Sequence, residues 1–486
     1  MIRKGQMPPM ARSLRRLKTV TKKLCALLTA AAVLGMMPGM DAAAVSANGA
    51  IARGIDVSKH NGAVNWSQVA SSGIDFTFIK VGSAKSGVDP QFAANITGAQ
   101  AAGIRTGVYL YSYATTPEQA ANEANMVLQW IEPYAVNYPI VFDIEDSCHK
   151  GLSDQQMIDI VNAFCFAIDA AGYYPVVYSY RNMFTGKLST VGWDKWVASY
   201  GETCDYNNNV CFWQYSSHGS VSGVGSRVDM NYQFKDYSQL IIPEGFIGHN
   251  GSVRFYRDWK MQKGWVDYNN TRYYLDGAGN LVSGWLTDAD GSTYYLSPAD
   301  GSIARGQCQV DGANYYFTAE GIKTNGWVVI NDQKYFYDPA QNGAMKTDWY
   351  SDAAGNYYFF DRSTGAMLTG AHNIDGADYL FSPEGIRMSG VVAAADGSYY
   401  YDPASGQMVR GWFETAGKTC YADGAGHIVT GLYEIEKQLY YFDETGALVR
   451  NQQLELNGIL YQASPEGVLA EVPPAPAPAP AETAAG

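Results

Sequence analysis

Between about residue 260 and residue 470 the chain repeats itself every 20 to 22 residues, and no other feature restricts its folding so strongly. A unit that short cannot bury a core of its own, so it must stack on its neighbours. Units open on Gly plus an aromatic, as at Gly264-Trp265, Gly284-Trp285, Gly326-Trp327 and Gly411-Trp412. An aromatic doublet follows, as at Tyr273-Tyr274, Tyr294-Tyr295, Tyr315-Tyr316, Tyr335-Phe336, Tyr357-Tyr358, Tyr399-Tyr400 and Tyr440-Tyr441. With a Gly-containing turn after the doublet, each unit reads as a β-hairpin. About ten units are discernible, which predicts an all-β hairpin-repeat solenoid over residues 261–470. The Pro/Ala run Pro473–Ala481 predicts an extended, disordered tail within residues 471–486.

At 486 residues the chain is too long for one core. The pattern changes near residue 245. Upstream, over residues 50–240, apolar strands alternate with helical stretches. The candidate strands are Arg53–Val57, Phe76–Val81, Arg105–Tyr111, Tyr138–Glu145, Pro175–Tyr180, Lys195–Tyr200, Cys211–Tyr215 and Arg227–Tyr232. Helical segments fall between the first five, including Pro90–Ala102, Pro117–Tyr134 and Ser153–Ala171, the last opening on a capping box at Ser153 and Gln156. After Tyr180 the connections are short and rich in Gly, Ser and Asn. The expected fold class is α/β: an irregular β/α barrel of about five βα units then three β-strands. Residues 241–260 read as a linker between barrel and repeats.

The stretch Tyr138–Glu145 (YPIVFDIE) carries the clearest chemistry. It reads as a buried strand ending in Asp143 and Glu145, which share one face at roughly 6.6 Å between Cα atoms. Two carboxylates there are costly to bury, and their mutual repulsion separates their pKa values into one acid and one base. Such a pair equips a glycosidase or, less often, a divalent-metal site. Barrel active sites sit at the C-terminal strand ends. Asp56 lies near the end of the first candidate strand, Trp213 and Gln214 late in the seventh, and Asp229 in the eighth, so four acids from three strands converge. Tyr111, Tyr113, Tyr178 and Tyr180, near strand ends, either line a sugar cleft or pack the barrel. Asp146 reads as a solvated or loop-bonded acid and His149 as a loop residue.

Arg12, Arg15, Arg16, Lys18, Lys22 and Lys23 precede the apolar run CALLTAAAVLGMM, with Val45-Ser46-Ala47 as a cleavage site. That order reads as a signal peptide over residues 1–47, too short to span a membrane. Export follows as the expectation. The formal net charge is −13, and without those 47 residues it falls to near −20. This argues against nucleic acid or anionic lipid as the main ligand. Cys204 and Cys211 are close enough in sequence for a local disulfide, and the other cysteines read as isolated thiols.

With these residues in order, the first domain resembles the family-25 glycoside hydrolases, lysozymes that cleave peptidoglycan. The resemblance rests on Gly54-Ile55-Asp56-Val57-Ser58, His60-Asn61-Gly62 with Asn65-Trp66, Phe142-Asp143-Ile144-Glu145, Trp213-Gln214-Tyr215 and Val228-Asp229-Met230-Asn231. It implies hydrolysis of the β-1,4 bond between N-acetylmuramic acid and N-acetylglucosamine with retention, without a metal or organic cofactor. By that resemblance Glu145 is the general acid and then base. Asp143 orients the substrate's acetamido group as internal nucleophile. Asp56 and Asp229 line the −1 subsite. The candidate substrate-binding residues are Trp213 and Gln214 from those motifs, with Tyr113 and Tyr178 added from their place near strand ends.

The repeats resemble choline-binding cell-wall modules, in which adjacent hairpins share an aromatic cage for a quaternary ammonium. Family repeats carry Trp before the doublet, where this chain has Arg272, Thr293, Asn314, Lys334 and Ser398. Gln307, Ala371, Val391 and Leu432 replace the leading Trp in several units. The cage walls implied are Trp265, Tyr274, Trp285, Trp327 and Trp412, with choline or another wall-polymer group as ligand. The resulting expectation is a secreted, wall-associated muramidase. A wall- or glycan-binding surface protein without activity, and a hydrolase of chitin-like chains, are the alternatives.

Overall fold

The computed structural model describes residues 44–473. Most of the expected signal peptide and all but the first residue of the Pro/Ala run therefore lie outside the described residues. Residues Val45–Ser46 of the expected signal segment pair antiparallel with Thr203–Cys204. The chain forms two compact units, one reaching Ala304 and one starting at Arg305.

Eight strands of the first unit close into a barrel: β1 (Ala52–Val57), β2 (Phe76–Ser83), β3 (Arg105–Tyr111), β4 (Ile140–Asp143), β5 (Pro175–Tyr180), β6 (Lys195–Ala198), β7 (Val210–Gly219) and β8 (Val228–Gln233). Neighbours β1 through β7 pair in parallel. Only β8 runs the other way, antiparallel to both β7 and β1. Helices α1 (Trp66–Ser71), α2 (Phe92–Ala101), α3 (Pro117–Ile131), α4 (Asp154–Ala170) and α5 (Arg181–Thr185) join the earlier strands. Ser153 caps α4 in a reciprocal box with Gln156. No helix separates the last three strands, in line with the short polar connections there.

Strand alternation sorts the side chains into two cores. Outward residues such as Val108, Leu110, Phe142 and Val177 meet the helices, and Phe142 stacks on Phe164 at 4.2 Å. Inward aromatics Phe76, Phe78, Tyr138, Trp196, Phe212 and Tyr237 plug one end of the barrel. Gly54 makes room for this plug, since a Cβ there would lie 2.5 Å from the Phe76 ring. With that end filled, polar inward residues collect at the other.

Two expectations change. Residues 241–260 are no linker: β9 (Glu244–His249), β10 (Ser252–Arg257) and β11 (Lys260–Met261) form a three-stranded sheet. Its inner residues Phe246 and Phe255 pack with Val266 and Leu275, so the apolar stacking begins before the first Gly-Trp signal. The sheet also clasps the barrel. Arg254 donates to the Asp169 carbonyl at 2.9 Å, His249 pairs with the Asp169 carboxylate at 3.0 Å, and Lys260 donates to the Glu132 carbonyl. Cys204 and Cys211 are free thiols: Cys204 packs in the outer core and Cys211 in the barrel interior.

The second unit is a series of two- and three-stranded antiparallel hairpins. The Gly opening a repeat adopts positive φ, from 70° at Gly306 to 89° at Gly326. Nothing lies within 4 Å of a Cβ built at either position, so backbone conformation and not space demands glycine there. In five places the segment after a hairpin reaches back to the preceding one: Met367 donates to Lys334, Arg387 to Tyr357, Met408 to Asp378, Ile428 to Ser398 and Leu448 to Thr419.

Candidate active site

A cavity of about 630 Å³ opens at the polar end of the barrel, where the parallel strands terminate. Asp56, Asp143, Glu145 and Asp229 all line it, together with Gln214 and Tyr178. The sequence expectation thus meets in one place for these six residues.

Asp56 and Asp229 face each other across the β1–β8 pair. Asp56 Oδ2 accepts from Asn231 Nδ2 at 2.8 Å and Gln214 Nε2 at 3.0 Å. Those amides are held in turn: Trp196 donates to Asn231, while the Tyr178 and Tyr200 hydroxyls donate to Gln214. Burial and the Asp229 charge push the Asp56 carboxyl well above its ordinary value. Burial also raises Asp229, and a hydrogen bond from Asp56 opposes that rise.

Asp143 ends β4 opposite Tyr111 on one side and Tyr178 on the other. It is 4% exposed, and its Oδ1 is buried without a hydrogen-bond partner. Burial first, then the Glu145 charge, raise its pKa well above the usual carboxylate range, and the Lys80 ammonium opposes them. Glu145 lies two residues beyond β4, and its Oε2 is likewise buried and unpartnered. Burial raises its pKa, against a Tyr180 hydrogen bond and Lys80. The Asp229 and Asp146 charges add to the rise, whereas the sequence argument had placed Asp143 in that role.

Two expected substrate residues do not reach the cavity. Trp213 is 1% exposed in the outer core, with its indole donating to the Ser199 carbonyl at 2.6 Å. Gln214 faces inward, so its neighbour on the strand must face outward. Tyr113 lies beyond the end of β3; its ring lies tilted beside Tyr111 at 5.2 Å and carries Lys85 3.5 Å from its centroid. Asp146 is loop-bonded, accepting from Tyr111 and the Cys148 amide, and His149 is buried against the Ala114 carbonyl.

Sequence reasoning missed Lys80, Tyr109, Trp196, Tyr200 and Arg227, all of which line the cavity. Lys80 did leave a signal: it follows Phe76 and Phe78 on the inward parity of an otherwise apolar strand. Its ammonium lies 4.6 Å from the Tyr111 ring centroid. Among the described residues no group of three or more His, Cys, Asp or Glu side chains is arranged to hold a metal ion, and no helix is long and apolar enough to cross a membrane.

In the repeats the leading Trp stands opposite an aromatic of its own hairpin and, in several units, touches an aromatic of the next. Trp265 lies 5.1 Å from Tyr274 and 4.8 Å from Tyr294. Trp327 groups with Phe336 and Tyr358, Trp349 with Phe359 and Tyr379, and Trp412 with Tyr421 and Tyr440. Trp285 meets Tyr295 at 5.1 Å. The Trp265 face is already taken, with the Arg272 guanidinium 5.2 Å from its ring centroid. Trp327 and Trp412 are 45% and 43% exposed.

A β/α barrel with four acids at the strand ends has the architecture of a glycoside hydrolase. The sequence profile of the Glycosyl hydrolases family 25 matches residues 55–224. Choline-binding repeat profiles match 324–371 and 368–413, and a putative cell wall binding repeat matches 263–281. An uncharacterized protein, YegX of Escherichia coli, is 30% identical over 190 residues, 37% of this chain and 68% of that one. Lysozyme M1 of Streptomyces globisporus is 34% identical over 197 residues, 37% of this chain and 66% of its own. The autolytic lysozyme of Clostridium acetobutylicum is 26% identical over 198 residues, covering 40% and 58% of the two chains. A solved bacterial lysozyme of Streptomyces coelicolor is 29% identical over 39% of this chain and 94% of that one, with a TM-score of 0.34. The chain belongs to glycosyl hydrolase family 25 and carries choline-binding-type repeats behind its barrel.

Proposed function

We propose that the protein is an exported peptidoglycan hydrolase that cleaves the β-1,4 bond between N-acetylmuramic acid and N-acetylglucosamine with retention of configuration. The observation that carries this reading is the pair of buried, unpartnered carboxylate oxygens, Asp143 Oδ1 and Glu145 Oε2, on residues lining one cavity. A buried acceptor without a donor is costly, and a bound acetamidosugar supplies the missing partners.

Glu145, whose carboxyl burial pushes above its ordinary range, gives its proton to the leaving glycosidic oxygen as the bond to the anomeric carbon breaks. The carbonyl oxygen of the substrate's acetamido group closes on that carbon from the opposite face, while Asp143 accepts its N–H and balances the cationic ring that forms. Water, deprotonated by Glu145, then opens the ring from the leaving-group side, so configuration is retained. Lys80 favours the ionised form of Asp143 that this role needs. The Asp56–Asp229 pair, its carboxyls pushed above their ordinary range by burial, sits beside the −1 sugar.

The repeats hold the enzyme on the wall through cages that take a quaternary ammonium, choline or another cationic wall-polymer group. The exposed Trp327 and Trp412 cages suit this role better than Trp265, whose face Arg272 covers. Tethering on a solid substrate raises the local concentration of cleavable bonds.

Mass spectrometry of fragments released from purified peptidoglycan tests the reading. Muropeptides with new reducing-end N-acetylmuramic acid are expected, and Glu145→Gln should lower their release by roughly 10²- to 10⁴-fold. Fragments ending in reducing N-acetylglucosamine would make the bond assignment wrong. No release from any wall would leave a glycan-binding protein.

A further inference from the structure

We propose that Arg227 forms a carboxylate-binding subsite at the cavity mouth that recognises the acidic arm of a muramyl sugar, a proposal that rests on the peptidoglycan reading. Peptidoglycan differs from chitin-like chains in the lactyl ether of every second sugar. That ether carries a carboxyl group, free or amide-linked to a stem peptide with carboxylates of its own. A cavity lined by Asp56, Asp143, Glu145 and Asp229 repels such a group unless a cation receives it.

Two lysine or arginine side chains line the cavity, Lys80 and Arg227. Lys80 is engaged, with its ammonium against Tyr111 and its charge acting on Asp143 and Glu145. Arg227 is exposed and makes no ion pair with any described acid. Because β8 runs antiparallel to β1, it enters the barrel from the mouth. Arg227 immediately precedes β8, two residues before Asp229, and lines the same cavity. A lactyl arm on a sugar bound beside Asp229 would come within reach of that guanidinium.

The base of the side chain is built to stay in place. Asn61 Nδ2 donates to the Arg227 carbonyl at 3.0 Å, while Asn61 Oδ1 accepts from the Ser58 amide at 2.9 Å in a capping box. The loop before it is tied to the other wall through Asn65 N–H to the Gly223 carbonyl at 2.8 Å and the Val64–Val224 bridge. A fixed backbone beneath a free guanidinium fork matches bidentate capture of a carboxylate.

Calorimetric binding to the Glu145→Gln protein tests this without turnover, with and without Arg227→Gln, alongside fragment release by the native enzyme. The ligands are peptide-free glycan strands, peptide-bearing strands and chito-oligosaccharides of equal length. Arg227→Gln should weaken the acid-bearing ligands by roughly ten- to hundredfold and leave chito-oligosaccharide binding unchanged, with Arg227→Lys restoring part of the loss. Loss on peptide-free strands alone identifies the lactyl carboxylate, and loss on peptide-bearing strands alone identifies the stem. Unchanged binding of both, or equal loss on chito-oligosaccharides, overturns the subsite even where native cleavage upholds the hydrolase. Failure of every glycan to bind, with no native cleavage, overturns both.

Discussion

Asp143 is held in the folded protein at a cost to stability, because its carboxyl is buried and one of its oxygens has no partner. Its pKa lies above the ordinary 3.8, so the folded state binds its proton more tightly than the unfolded chain does. Its contribution to stability is full below that ordinary value and is lost as pH rises through the folded value. Asp143→Asn should therefore be more stable than the native protein at neutral pH, by about 1–3 kcal/mol, with the gap closing toward pH 4. Thermal melts across that range read it, and a gap that widens in acid would refute the argument. Trp213 makes the opposite case. Trp213→Ala should cost about 3–5 kcal/mol in denaturant unfolding and leave KM on peptidoglycan unchanged, because the ring fills the outer core. The four acids were legible in the sequence because polar residues on strand ends are conspicuous. The Trp-Gln pair was read as a block, although strand parity allows only one of the two to face the cavity.

At the scale of elements, apolar runs between turn residues marked all eight barrel strands, and the capping box at Ser153 marked the start of α4. The direction of β8 was not legible, since inward–outward alternation is the same whichever way a strand runs. The sheet at 244–261 was missed for another reason: Phe246, Val253 and Phe255 pack like a repeat, but no Gly-Trp pair announces them. The repeat glycines were read from recurrence alone, and the structure supplies the cause in their positive φ. Gly411, at φ 86° with open space around a built Cβ, tests that cause directly. Gly411→Ala should destabilise the second unit by about 1–2 kcal/mol through backbone strain, measured by urea unfolding. A neutral result would shift the explanation to packing.

For the molecule as a whole, the catalytic unit extends past the barrel to Ala304, further than composition suggested. Asp169 at the end of α4 is the anchor, receiving both His249 and Arg254 from the β9–β11 sheet. Residues 44–304 should therefore melt at a higher temperature than residues 44–240, whose truncation uncovers Tyr138 and Tyr174. Equal melting temperatures would show that the sheet adds nothing to the barrel. The second unit is joined differently, with successive hairpins bonded by links such as Met367 to Lys334 or Ile428 to Ser398. That linkage has a mechanical side. An enzyme held on a stretched wall, as proposed, would come under load, and a ladder of links between neighbouring hairpins would yield one rung at a time. Each rung of about 20 residues releases roughly 70 Å of slack at about 3.5 Å per residue. The second unit, used as the proposed anchor, would then lengthen by steps under load.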